Sequence, residues 1–288
     1  MSKKQDNSDN KFDLETEAVI NMTKANRKKN ERNIARVQEK ILKKKKKRKK
    51  ILTIILLLAI IVAGIVFTLV SPIFNIQEIE VVNNELLSSD TIISLSGLQT
   101  GQNLFKFSKI KTKNEIKTNP YIESVKISRK IPSTIKISVV ERQRDFNVEF
   151  LNGYAYINKQ GYILEISEEK LDVPTIQGVS TDAEQIVAGN RLNVEDLEKL
   201  EVVIEIMDIC KSYELDTKIT SINIENKNNY IIYMEEEKKE IYLGDETNLN
   251  NKMLYVPIML EENKDAEGTI YLNGDLNSNF KPRFKEKV

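Results

Sequence analysis

The densest chemical feature of the sequence is an unbroken run of eight cationic side chains, Lys43, Lys44, Lys45, Lys46, Lys47, Arg48, Lys49 and Lys50. Such side chains neutralise phosphate, either along a nucleic-acid backbone or on lipid headgroups. The residues that follow decide between the two. Ile51 to Val70 is twenty residues without a charge, with only Thr53 and Thr68 carrying hydroxyls. As a helix this run is about 30 Å long, the thickness of a bilayer's hydrocarbon core. The cationic run is therefore read as a membrane-surface element facing anionic lipid, and no nucleic-acid partner is expected. A cleaved export signal is shorter, starts near the N-terminus and ends in a small-residue site. Here fifty residues precede the run, and Phe67-Thr-Leu-Val-Ser-Pro72 offers no such site.

Catalytic chemistry is poorly supplied. The sequence has no His and a single Cys, Cys210. That excludes Ser-His-Asp and Cys-His catalysis and nearly all zinc sites, and it leaves no intramolecular disulfide. Carboxylates are plentiful but sit in solvated runs such as Glu168-Glu169 and Glu235-Glu236-Glu237. No phosphate-cradling glycine motif is present. No cofactor or metal is expected, and the chain is read as a non-enzyme.

Charge sets the expected orientation. Residues 1–50 hold 18 Lys+Arg against 7 Asp+Glu, a net of +11, whereas residues 71–288 hold 26 against 36, a net of −10. With Lys43–Lys50 abutting the apolar run, the positive-inside rule keeps the N-terminus in the cytoplasm and puts 71–288 outside. Residues 1–50 are expected to be a largely disordered basic tail. An amphipathic pattern at Ile34, Val37, Ile41 and Leu42 is compatible with a basic helix on the inner membrane face.

The elements beyond the span follow from periodicity. "FNIQEIEVVNN" predicts a strand; "SSDTIISLSGL" predicts a short helix capped by Ser88 or Ser89 and stopped by Gly97; "FSKIKTKNEIKTNP" predicts a second helix, capped by Ser108 and ended at Asn119-Pro120. Phe105 and Phe107 are expected to staple the two helices. "YIESVKISRKIPSTIKISVVER" predicts a hairpin turning at Pro132-Ser133. The next segment reads as a meander with turns at Asn152-Gly153 and Lys159-Gln-Gly161. It continues with a helix capped by Asn193, its apolar stripe at Leu197, Leu200, Ile204 and Met207 and Cys210 on its core side. Three short strands follow, and then "NLNNKMLYVPIML", a helix kinked or stopped by Pro257. "GTIYLNGD" reads as the last strand, and 274–288 as a disordered tail.

The strings "SPIFNIQEIEVVNN", "GLQTGQNLFKF" and "NPYIESVKISRKIPSTIKISVVERQR", in that order after an anchor, resemble the polypeptide-transport-associated (POTRA) domain of the bacterial FtsQ/DivIB division family. The resemblance is strong over 71–142 and weak beyond, where Asn158 and Tyr271 stand in place of the family's usual Asp. It implies an α+β protein: a single transmembrane helix (51–70), a POTRA domain of order β-α-α-β-β (71–143), and a mixed, mostly antiparallel β domain (144–273). It also implies a single-pass type II scaffold at the division septum. The implied partners are FtsL and DivIC/FtsB-like bitopic proteins and the septal penicillin-binding transpeptidase. Its partner contact, by edge-strand pairing near the last strand, carries over to Ile270, Tyr271 and Leu272. Alternation alone gives Ile270 and Leu272 a plain core role. Two other readings stand beside it: a membrane-anchored wall enzyme using carboxylates, and a POTRA-type polypeptide-binding transport factor.

Overall fold

A computed structural model describes residues 6–151, 153–274 and 280–287, with side chains from Met22 onward except Ala25. Asn152 of the expected turn, residues 1–5, 275–279 and Val288 lie outside the described residues. The chain divides into two compact units, 1–71 and 72–288.

The first unit is one helix, α1, Asp6–Val70. It corrects the expectation of a largely disordered basic tail. Lys, Arg, Glu and Gln are good helix formers, and Arg27–Glu31 and Glu39–Lys43 pair one turn apart at 3.5 and 2.6 Å. The apolar half supplies a nucleus onto which such residues propagate at little cost. Within that half the hydroxyls bond back to the helix, Thr53 to the Lys49 carbonyl at 2.9 Å and Thr68 to that of Ile65 at 2.8 Å. This helix is long and apolar enough to cross a membrane.

The second unit begins with a small three-stranded sheet. Its strands are β1 (Glu78–Val82), β2 (Ile122–Lys130) and β3 (Thr134–Glu141), in the order β1-β3-β2, with β1 parallel and β2 antiparallel to β3. Helices α2 (Ser89–Ser96) and α3 (Lys109–Ile116) carry the caps that the sequence predicts. Ser88 and Ser108 accept from the third residue on, and Gly97 closes α2 at φ 64°. Ile92, Leu104, Ile116, Ile135 and Ile137 are fully buried between helices and sheet. Phe105 and Phe107 pack, half-buried, against this core. They clamp Arg129, whose guanidinium lies 5.8 and 4.6 Å from their ring centres and donates to the Leu104 and Phe107 carbonyls.

The remainder forms a nine-stranded mixed sheet of β4 (Phe146–Phe150), β5 (Gly153–Ile157), β6 (Ile163–Ser167), β7 (Thr175–Gln177), β8 (Ser221–Asn223), β9 (Tyr230–Met234), β10 (Lys239–Gly244), β11 (Gly268–Tyr271) and β12 (Arg283–Glu286). The spatial order is β12-β11-β10-β9-β8-β7-β4-β5-β6. Helices α4 (Val194–Ser212) and α5 (Leu249–Glu262) contribute to its core. Asn193 caps α4 as expected, but the core face is Leu200, Val203, Ile206 and Cys210; Leu197, Ile204 and Met207 flank it, half-buried. Helix α4 buries a wider face than one stripe because it meets both the sheet and α5. Nor does Pro257 end α5, which continues to Glu262. Val256, Met259 and Leu260 are buried on either side of the proline and hold the helix across its missing N–H.

The string Val-Glu-Arg-Gln-Arg, 140–144, has a physical explanation. The buried Glu141 carboxylate accepts three successive backbone N–H groups, from Glu85 at 2.9 Å, Leu86 at 2.7 Å and Leu87 at 3.1 Å. Arg142 donates to the carbonyls of Pro120 and Ile122 at 2.8 and 2.7 Å and lies 4.2 Å over the Tyr162 ring. Arg144 donates to the Tyr121 hydroxyl at 2.8 Å, and that hydroxyl donates to Glu165 at 2.5 Å. Burial, with Glu165 beside it, pushes the Tyr121 phenol up to about 12, so it remains a donor. Arg142, Arg144 and Tyr121 join the small sheet to the large one, and Glu141 ties the loop after β1 to the end of β3. Glu141→Ala leaves three partly buried N–H groups without their acceptor and is expected to cost about 2–4 kcal/mol; Glu141→Gln retains one oxygen and costs less. Urea unfolding of the two variants checks the difference.

Candidate partner-binding edge

The sequence puts the expected partner contact, Ile270, Tyr271 and Leu272, on "GTIYLNGD" as an edge strand. The structure corrects this, and with it the disordered tail. β11 lies inside the sheet, parallel to β10, and β12 covers its other side in antiparallel register: Gly268↔Glu286, Thr269↔Lys285, Ile270↔Phe284, Tyr271↔Arg283. The tail pairs because Phe284 gives a four-residue strand one apolar anchor against the core. Its neighbours are all charged, which hides the strand from any search for alternating hydrophobics.

Three features dock β12. Gly268 has no side chain, and a Cβ there would collide with the Lys285 carbonyl oxygen and the Phe284 ring. Lys239, buried, donates to the carbonyls of Glu237 and Ala266 and keeps its ammonium 5.7 Å from the Phe284 ring centre. Lys287 donates from its backbone to the Glu267 carbonyl at 2.8 Å and from its ammonium to the Glu267 carboxylate at 2.8 Å. That hydrogen bond holds the exposed Glu267 below the usual carboxylate range. On the far side of β10, buried Lys252 of α5 donates to the Asp245 carbonyl at 2.9 Å and carboxylate at 3.1 Å, fixing the start of the helix that links β10 to β11.

Of the residues expected at the contact, Ile270 and Leu272 are fully buried in the core. Tyr271 faces the other way, stacked on Tyr242 with ring centres 5.3 Å apart, and the Arg283 guanidinium lies 5.0 Å from its ring. The register extends this into a cross-strand row, Ile231–Tyr242–Tyr271–Arg283, beside a second row, Tyr233–Glu240–Thr269–Lys285. The open face thus carries an aromatic patch bordered by two cations at the sheet edge. A cleft of about 250 Å³, lined in part by Tyr233, Glu240, Glu267, Thr269 and Lys287, opens beside it. The outer side of β12 is one edge of the sheet, and β6 is the strand at the other. Antiparallel pairing alternates, and the Lys287 N–H points to β11; the N–H groups of Phe284 and Glu286 therefore point away from the sheet. Lys43–Lys50 are exposed along α1.

The family model described as "POTRA domain, FtsQ-type" matches residues 74–142, the segment that holds the small sheet, its two helices and Glu141. The relatives that the chain is similar to carry the names DivIB and FtsQ. DivIB of Clostridium acetobutylicum is 34% identical over 157 residues, 54% of this chain and 57% of that protein. DivIB of Clostridium tetani is 28% identical over 216 residues, 73% of this chain and 78% of that protein. FtsQ of Syntrophotalea carbinolica is 26% identical over 165 residues, 57% of each. Among solved structures, the extracytoplasmic domain of DivIB from Geobacillus stearothermophilus matches 42% of this chain and 92% of its own at 16% identity, with a TM-score of 0.27.

Gly268→Ala is expected to release β12 while leaving β11 paired to β10. Amide exchange of 283–286 then accelerates by at least about tenfold while that of β10 is unchanged. Unchanged protection of both strands would mean that the edge tolerates the methyl group.

Proposed function

We propose that this chain is a single-pass type II membrane scaffold of the bacterial division machinery. On this reading the cytoplasmic basic helix and apolar span hold two extracytoplasmic domains at the septum, where they stabilise an FtsL–DivIC/FtsB-like complex and link it to the septal transpeptidase. What carries the reading is order along one chain: an apolar span, an FtsQ-type POTRA domain directly after it, and a β domain ending in a free edge strand. Matches to two of the relatives span only 57% of those proteins, so the activity of the whole family enters here as a proposal.

The contact we assign is the outer side of β12, with Tyr271, Arg283 and Lys285 on the adjoining face. Ile270 and Leu272 act from beneath, by fixing β11. An edge strand leaves N–H and C=O groups unpaired, and an extended partner segment satisfies them. The four residues of β12 and its charges limit indiscriminate pairing. The reading as a non-enzyme draws support from the carboxylates. Asp145, pushed up by burial, has an oxygen taken by the Lys159 N–H at 2.8 Å, and Asp245 is held down by the Thr247 hydroxyl and Lys252.

Glu286→Pro removes one outward N–H and leaves the β11 ladder intact. It is expected to lower co-purification of the bitopic coiled-coil pair by about tenfold, the equivalent of one strong hydrogen bond. The pair Arg283→Glu and Lys285→Glu should act in the same direction. Undiminished capture by both variants removes β12 as the contact.

A further inference from the structure

Among the described residues of the POTRA domain, five large apolar side chains are exposed: Ile73 (59%), Leu86 (42%), Ile110 (74%), Ile131 (69%) and Val140 (50%). They are not scattered. Val140 is the penultimate residue of β3, and the carboxylate of the next residue, Glu141, accepts from the N–H of Leu86, so these two mark the end at which β1 and β3 finish and β2 begins. The three most exposed, all isoleucines, mark the opposite end, at which β1 and β3 begin and β2 finishes.

Backbone contacts knit their segments together. The Phe74 carbonyl accepts from Leu104 at 2.7 Å, and the Phe74 and Phe105 rings meet edge to face at 5.4 Å. The Gln77 N–H donates to Ser133 at 2.9 Å, two residues past Ile131. Arg129, two residues before Ile131, donates to the Leu104 carbonyl at 2.7 Å and to the Phe107 carbonyl at 3.1 Å, three residues before Ile110. This end is also cationic. Lys106, Lys109, Lys111 and Lys113 fall in the stretch between Asp90 and Glu115, which contains no acid, within a segment (71–288) whose net charge is −10.

The covalent chain names the occupant. Ile73 is the third residue after Val70, where the apolar run ends, so this end of the domain is the one delivered to the bilayer surface. Bare isoleucines flanked by lysines are the composition that interfacial segments use, with apolar groups entering the headgroup boundary and ammonium groups meeting phosphate. We propose that this end of the POTRA domain is a lipid-contact surface: Ile73, Ile110 and Ile131 enter the headgroup region of an anionic outer leaflet, and Lys106 and Lys109 meet its phosphates. The inference rests on the reading that the apolar run spans a membrane. Docking there holds the domain at a fixed height and orientation instead of swinging on its tether.

The test uses the full chain reconstituted in vesicles of phosphatidylglycerol and phosphatidylcholine. Cys210 is buried and its thiol is pushed up to about 12, so introduced cysteines take the label. An environment-sensitive fluorophore is placed in turn at Ile110→Cys, Ile131→Cys, Leu86→Cys and Val140→Cys, and the quencher is a nitroxide on the lipid headgroup. Quenching at 110 and 131 is expected to exceed that at 86 and 140. Lys106→Glu with Lys109→Glu should lower the docked fraction by roughly tenfold, returning both positions to the level of the other two. Equal quenching at all four positions, or indifference to the charge reversal, overturns the proposal. Flotation of the same vesicles reports the span separately: chain that does not float contradicts the anchor, and chain that floats without selective quenching contradicts only the docking.

Discussion

A sheet must end somewhere, and the strand at its end leaves backbone N–H and C=O groups without partners. At one end of the large sheet that constraint falls on β12. Phe284 is its single apolar anchor, and the strand fits against β11 only because Gly268 contributes no side chain. Lys239 and the Glu267–Lys287 pair tie down the strand's far end. A strand held by so few interactions is ordered enough to present a defined row of donors and acceptors. It is also short and charged enough not to recruit other chains indiscriminately. The rest of the unit holds this row in place. The helix α5 links β10 to β11, and buried Lys252 fixes where that helix starts.

The same economy appears where the two sheets meet. Glu141, Arg142 and Arg144 are charged residues of a five-residue string, and each is spent on backbone groups or ring faces rather than on solvent. One carboxylate gathers three N–H groups, and one guanidinium takes two carbonyls. Such bonds to charged groups are stronger than neutral ones. The two guanidiniums hold the junction itself, and Glu141 holds the loop after β1 against it.

The sequence makes legible whatever periodicity and capping control. The membrane-length run, the caps at Ser88, Ser108 and Asn193, the stop at Gly97 and the hairpin of β2 and β3 all follow from local rules. The inward placement of Ile270 and Leu272 follows from alternation. Other features escape because their causes are not local. β12 has one apolar residue, so no pattern marks it, and its place depends on a glycine fifteen or more residues earlier in the chain. The core face of α4 is turned toward Ile206 because α5 packs beside it, which the α4 sequence does not encode. Phe105 and Phe107 read as core residues, but that they also clamp Arg129 from β2 is not written in their own segment. Pro257 reads as a stop until the burial of Val256 and Met259 outweighs one missing hydrogen bond.

The central claim is that the outer row of β12 is where an extended partner segment adds to the sheet. The direct measurement is amide hydrogen exchange of the full chain in a bilayer, with and without the bitopic coiled-coil pair. The account predicts that slowed exchange on binding is concentrated at Phe284 and Glu286, whose N–H groups point outward, with little change at Arg283 and Lys285, whose N–H groups already face β11. Binding that slows exchange elsewhere and leaves Phe284 and Glu286 unchanged would contradict it.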